Sequence, residues 1–191
     1  DASEEDIYKA TDAGARMSTH LGNGLSATLP RHPNVVWAQL AEDRLSASLI
    51  LDGHHLPSST AQVMIRAKGI ERVVLVSDSV KFAGMPPGRY SSPIGGDVEV
   101  SGNGRVSIFG TQFLAGSGVS LLKIICNFSS LTGLPFSDAV TMATINPAKF
   151  LNRSVDLKPG KRADFILFDL DSDTGTVKPQ DIIFGGESVM Q

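Results

Sequence analysis

Cysteine is almost absent from these 191 residues, with Cys126 the only one. No disulfide can form within the chain. That excludes a disulfide-stapled secreted scaffold and suits a reducing, cytoplasmic setting. Cys126 lies in Ser120–Phe128, a run with helical apolar spacing, and reads as a buried structural thiol rather than a nucleophile. Positive charge does not dominate either: 17 Lys and Arg face 20 Asp and Glu, for a net charge of −3. No basic stripe is interleaved with aromatics, which argues against nucleic acid as a partner. Long apolar runs are missing too. The longest, Leu45–Leu51, is interrupted by serines and is far shorter than the roughly 18 residues a membrane span needs. The acidic start, Asp1-Ala2-Ser3-Glu4-Glu5-Asp6, has no signal-peptide apolar core and no initiating Met. The expectation is a chain cut from something longer.

What is present is an ordinary globular composition, 41% hydrophobic and 19% charged, with enough apolar residues for a core. No internal repeat or low-complexity segment interrupts it. Ser3 and Asp6 have the spacing of a capping box and predict a helix through Ala13, stopped by Gly14. Strands are expected at Ala15–Thr19, Leu45–Leu51 and Arg72–Ser77. A helix over Asn34–Asp43, with Trp37 and Leu40 inward, separates the first pair. A second, Thr60–Lys68 capped by Ser58 or Ser59 and closed by Gly69, separates the next. This is the rhythm of parallel β/α units.

From Phe82 to Gly118, Gly and Pro are dense, and Gly102-Asn103-Gly104 between Asp97–Ser101 and Arg105–Phe109 predicts a hairpin. The pair Gly95-Gly96 and this Gly-Asn-Gly lack the strand-to-helix context of a phosphate loop. Helices are expected at Val119–Thr132, Pro135–Ala143 and Pro147–Leu151. Short strands follow at Asp164–Phe168, Asp181–Phe184 and Glu187–Met190, with a Gly185-Gly186 turn between the last two. The fold class is α/β with a small β appendage.

Three phrases place polar chemistry just after the apolar strands: Thr19-His20-Leu21-Gly22-Asn23, Asp52-Gly53-His54-His55 and Val76-Ser77-Asp78. The C-terminal ends of parallel strands are where barrel enzymes keep their active sites. His20 is either a zinc ligand at a barrel mouth or a hydrogen-bonded structural imidazole. Alternation along a strand lets at most one of His54 and His55 reach a site. Asp78 is either a helix cap or a working base. Arg31, in Pro30-Arg31-His32-Pro33, is either a phosphate anchor or a solvated cation.

Taken together, these phrases with Ala83-Gly-Met-Pro-Pro-Gly-Arg-Tyr90, Leu114-Ala-Gly-Ser117, Met142-Ala-Thr-Ile-Asn-Pro147 and Leu157-Lys-Pro-Gly-Lys-Arg-Ala-Asp164 resemble the N-acetylglucosamine-6-phosphate deacetylases of the amidohydrolase superfamily. The resemblance runs the whole chain in the family's order. It implies a C-terminal half of such an enzyme: residues 1–156 as half of a (β/α)8 TIM-type barrel, with the hairpin near 97–109 as an insertion, and 157–191 as strands of a flanking β-sandwich. It implies His20 as a metal ligand, with zinc the first expectation and iron or another divalent ion the next. Asp78 is implied as general base and acid, and His55 as the group beside the substrate carbonyl. Asn23, Gly24 and Arg31 are implied to hold the sugar phosphate, the arginine reaching across a homodimer interface. The small-molecule partner would be an amino sugar phosphate, here N-acetylglucosamine 6-phosphate, cleaved to glucosamine 6-phosphate and acetate.

The chain departs from the family pattern at Gly22-Asn23-Gly24-Leu25, where an aromatic, Asn, Ala and Met are usual, at Ser77 in place of Thr, and in the extra His54. The family's metal-binding Glu and a further His would precede Asp1, so these residues alone are expected to be inactive and prone to associate. Other expectations consistent with the residues are a different amidohydrolase deacetylase or deaminase, and a non-catalytic barrel remnant acting as an assembly module.

Overall fold

The computed structural model describes residues 2–92, 96–171 and 174–190. Gly95, half of the Gly95-Gly96 pair, and Asp1 lie outside them. Helix α1 (Glu4–Asp12) opens with a full capping box: Asp6 N–H donates to Ser3 Oγ at 3.2 Å and Ser3 N–H to the Asp6 carboxylate at 2.8 Å. Strand β1 (Met17–Ser18), helix α2 (Val35–Ala41), strand β2 (Ser46–Leu49), helix α3 (Ser58–Lys68) and strand β3 (Val73–Leu75) follow. The strands pair in parallel in the order β1-β2-β3, with Met17 opposite Ser46 and Ala47 opposite Val73. A parallel pair needs a crossover, and α2 and α3 are those crossovers. Leu49, Ile50 and Leu51 are fully buried, so the apolar run is what a strand covered on both faces requires.

The Gly- and Pro-rich segment is more ordered than a hairpin. β4 (Gly88–Ser92), β5 (Gly96–Val100), β6 (Arg105–Ile108) and β7 (Leu114–Ser117) form an antiparallel sheet in that order. Phe82, Val98, Val100 and Val106 give it a small core of its own. β4 and β7 escape a pattern reading because their residues are mostly Gly, Ser and Ala. β7 also docks on the parallel sheet. Ser117 N–H donates to Asp78 C=O at 3.1 Å and Val80 N–H to Ser117 C=O at 3.0 Å, making a parallel bridge between Ser79 and Ser117. Gly118 allows this approach, since a Cβ there would lie 2.4 Å from the Gly104 carbonyl oxygen.

After β7 come α4 (Leu121–Thr132), α5 (Phe136–Ala143) and α6 (Ile145–Phe150). Ile124, Phe128, Ala139 and Met142 from α4 and α5 join the core formed by the parallel strands. The tail is a single antiparallel sheet of β8 (Phe165–Asp171), β9 (Thr176–Phe184) and β10 (Glu187–Ser188), in the order β10-β9-β8. Phe168 rests on Phe136 of α5, ring centroids 6.0 Å apart.

The α/β class is as expected, but among the described residues the parallel strands form an open sheet, not a closed barrel, and the tail has no second sandwich layer. The reason is strand number: a barrel of this type closes on eight parallel strands, and three are here with β7 adjoining them. Trp37 is 50% exposed, not inward; Val35, Ala38 and Leu40 are the buried face of α2. Ser58 and Ser59 do not cap α3, which starts at Ser58 after Pro57. The Ser58 hydroxyl instead donates to the Leu131 carbonyl, tying α3 to α4. α6 begins before Pro147, which sits in its first turn, where no N–H is needed.

Asn146 joins α6 to the sheet. Its buried amide donates to the carbonyls of Ile70 and Val73, both at 2.7 Å, while Lys149 Nζ donates to its oxygen at 3.0 Å. Replacing Asn146 with Ala removes two hydrogen bonds at once, though the Ile70 carbonyl keeps the Val73 N–H. Asn146→Ala is expected to lower the unfolding free energy by ~2–4 kcal/mol, read from chemical denaturation. A change within experimental error would mean that water satisfies both carbonyls.

Candidate active site

The parallel sheet brings its three strand ends to one side, and the polar phrases meet there. His20 lies two residues beyond β1. Its N–H donates to Ser48 Oγ on β2 at 2.7 Å, and its carbonyl accepts from the Asn23 N–H at 3.0 Å and from Asn23 Nδ2 at 3.3 Å. The loop is thus braced by β2 on one side and by its own Asn23 on the other. His20 sits at φ +31°, a left-handed conformation that a non-glycine residue adopts at a cost of order 1–3 kcal/mol. Its Nδ1 is buried with no hydrogen-bond partner among the described residues.

Asp52 and His55 form a dyad just past β2. The buried Asp52 carboxylate accepts from the backbone N–H groups of His54 and His55, both at 2.9 Å, through Oδ1. Oδ2 takes His55 Nδ1 at 2.8 Å. A carboxylate can only accept, so Nδ1 carries the proton and Nε2 is left for a ligand. Burial works against the charge on Asp52. Hydrogen bonds from the His55 ring and from the two backbone groups outweigh it and hold the carboxyl at about 2. His54 turns elsewhere, its Nε2 3.2 Å from the Asn103 carbonyl at the β5–β6 turn.

Asp78 lies three residues beyond β3 at φ +48°, and is exposed. Three non-glycine residues have positive φ, among the described residues, and two of them are His20 and Asp78. Such strain persists where the surroundings over-determine it, and it clusters at functional sites. For Asp78 the determinant is the Ser117 N–H on its carbonyl at 3.1 Å.

His20, Asn23, Gly24, His55 and Asp78 line one cavity of about 580 Å³. Part of its wall comes from Gln112, Phe113, Leu114 and Gly116 at and after the β6–β7 turn. A larger cavity of about 770 Å³ between α6 and the tail contains none of these strand-end groups. Arg31 is not in the wall: it is exposed, and its guanidinium makes no hydrogen bond or ion pair among the described residues. Asp52 carries its sequence signal in the i, i+3 spacing to His55, whereas Gln112 and Phe113 of the cavity wall carry none.

No three His, Cys, Asp or Glu side chains converge on a common point, among the described residues. A metal site needs three or four protein ligands. The orphan nitrogen of His20 fits one ligand position, and the described residues do not complete the set.

Residues 9–189 match the amidohydrolase family. The chain is 39% identical over 166 residues to N-acetylgalactosamine-6-phosphate deacetylase of Escherichia coli O157:H7, covering 84% of this chain and 42% of that protein. It is 38% identical over 156 residues to a putative N-acetylgalactosamine-6-phosphate deacetylase of Escherichia coli strain K12, covering 78% of this chain and 89% of that one. Against N-acetylglucosamine-6-phosphate deacetylase of Vibrio furnissii it is 31% identical over 169 residues, covering 87% of this chain and 41% of that protein. Among solved structures, N-acetylglucosamine-6-phosphate deacetylase of Thermotoga maritima superposes with a TM-score of 0.84 at 28% identity, covering 100% of this chain and 51% of that one. The Mycobacterium smegmatis enzyme solved with N-acetyl-D-glucosamine 6-phosphate gives 0.83 at 28%, covering 100% and 49%. The chain therefore spans about two fifths of the length of the first of these relatives.

The Asp52–His55 pair has a pH signature. The folded-state value of Asp52, about 2, lies below that of an unfolded aspartate, so its stabilisation is fully present above pH ~4 and is lost as pH falls toward 2. Asp52→Asn is expected to cost ~1–3 kcal/mol at neutral pH, with the gap to the unaltered protein closing near pH 2. A gap that stays constant across that range would show that the carboxylate charge contributes nothing.

Proposed function

The chain belongs to the N-acetylglucosamine-6-phosphate deacetylase family of amidohydrolases, and on that premise we propose that it serves hydrolysis of the N-acetyl group of an N-acetylhexosamine 6-phosphate, yielding acetate and the free amine. The observation that carries this reading is the convergence of His20, His55 and Asp78 in one cavity. Relatives named for both C4 epimers are present, and both substrates offer the same acetamido and phosphate groups.

In this reading Asp78 takes a proton from the attacking water and later delivers one to the leaving amine. His55, oriented by Asp52 through Nδ1, serves the amide carbonyl oxygen only with a second proton on the ring, when Nε2–H donates to the oxygen as negative charge develops there. Asn23 and Gly24 line the cavity as candidate phosphate contacts. Arg31, its guanidinium outside that cavity and without a partner among the described residues, is assigned to a phosphate held across a homodimer interface. A divalent metal, zinc first and iron next, would lower the pKa of water and polarise the carbonyl when bound. Among the described residues His20 is the one group that fits as its ligand, so the chain is read as part of a larger site and as inactive alone.

The same reading places residues 1–156 in half of a (β/α)8 barrel and 157–191 in a sandwich with a second layer. The largely exposed tail sheet, including Leu167 and Phe184, supports this, because such apolar side chains are normally covered. A cytoplasmic location fits the single cysteine. No helix among the described residues is long and apolar enough to cross a membrane.

Acetate release by the complete gene product tests the reading. Asp78→Asn keeps the side-chain shape and is expected to lower turnover ~10²–10⁴-fold with a much smaller change in KM. Near-normal turnover in that variant would move the proton transfer to another group. His20→Ala is expected to lower bound metal, measured by elemental analysis, together with activity. Unchanged metal content would sink its assignment as a ligand.

A further inference from the structure

We propose that Phe113 is a specificity-determining aromatic platform for the sugar ring, favouring the galacto over the gluco epimer of an N-acetylhexosamine 6-phosphate. The inference rests on the deacetylase reading above and deepens it. Phe113 lines the cavity that holds His20, His55 and Asp78, yet is 70% exposed. Its neighbour Phe109 is covered by the Arg89 guanidinium, 3.8 Å from the ring centroid. Phe113 has no stacking partner, aromatic or cationic, among the described residues.

The ring is not on a loose loop. Phe113 N–H donates to Thr111 Oγ1 at 3.2 Å, and Thr111 Oγ1 donates to the Ile108 carbonyl at 3.0 Å. The Phe113 carbonyl accepts from Ile108 N–H at 2.9 Å, and the Gln112 carbonyl from Arg105 at 2.7 Å. A large apolar ring carried on a hydrogen-bonded backbone at the edge of a polar cavity is the arrangement of a ligand wall: apolar surface with a few placed polar groups.

Its distance from the reacting groups selects what it can touch. β7 is pinned to Asp78 at Ser117. Phe113 immediately precedes β7, at the end of the strand away from that pin. In this proposal it meets the body of the sugar, while the amide undergoing cleavage lies beside Asp78. On a pyranose, an axial 4-hydroxyl leaves the C3, C4 and C5 hydrogens on one face as a continuous apolar patch. An equatorial 4-hydroxyl turns the C4 hydrogen to the other face and breaks that patch. An aromatic face, with its negative quadrupole, attracts the positively polarised C–H groups of the continuous patch.

Binding separates this from a structural role. The complete gene product carrying Asp78→Asn, so that neither sugar is consumed, is titrated calorimetrically with N-acetylgalactosamine 6-phosphate and with N-acetylglucosamine 6-phosphate. The galacto sugar is expected to bind several-fold more tightly. Adding Phe113→Ala is expected to weaken it about tenfold while changing the gluco sugar less than twofold, and Phe113→Trp to retain the preference. Equal losses for both sugars, or none, would overturn the proposal while leaving the deacetylase reading intact. Binding of neither sugar before residue 113 is altered would overturn that reading and this proposal with it.

Discussion

Parallel pairing of β1, β2 and β3 is the constraint on which the site depends. Each strand must be reached by a crossover, so α2 and α3 return the chain to the same side of the sheet each time. Every strand then ends on one side. Residues 20, 55 and 78, far apart in sequence, become neighbours through topology before any side-chain interaction is considered. Burial of β2 on both faces holds this arrangement in register, because a slip by one residue would disturb Leu49 and Leu51 together.

The strand ends are also where local preference is overruled. His20 and Asp78 both adopt positive φ, which side chains with a Cβ avoid. Each is held there by a bond from another element: Ser48 Oγ accepts the His20 N–H, and the Ser117 N–H binds the Asp78 carbonyl. Asp52 shows the same logic in polar form. A buried carboxylate would favour its neutral form, but three converging N–H groups keep it charged and fix the His55 ring. These interactions oppose intrinsic tendencies at the groups assigned to chemistry, a pattern associated with function rather than with stability.

The inserted sheet turns an open strand edge into an enclosure. β7 meets the chain just beyond β3 through Ser79 and Ser117, while His54 anchors the opposite turn at Asn103. The insertion is thus fastened at both ends beside the candidate site. Its β6–β7 turn supplies the wall facing the strand-end residues. The tail sheet plays no part in that cavity; it meets the body where Phe168 rests on Phe136 and where Gly175 comes close to the Cys126 carbonyl of α4.

Local periodicity and end signals determined much of this by themselves. The capping box at Ser3, the apolar run of β2, the Gly69 stop and the Gly102-Asn103-Gly104 turn all act over a few residues, and all could be read directly. The order of units, and the placing of His20, His55 and Asp78 after successive strands, followed from those signals. Which of His54 and His55 would face the cavity depended on the Asp52 carboxylate, whose two oxygens choose between backbone and ring. The outward turn of Trp37, the bond from Ser58 to Leu131 and the β4 and β7 strands depended on neighbours distant in sequence. So did the Gln112–Leu114 wall, which faces the site only because Arg105 and Ile108 of β6 hold the Gln112 and Phe113 carbonyls. Short-range chemistry specified the elements; long-range pairing decided which surfaces those elements turn toward one another.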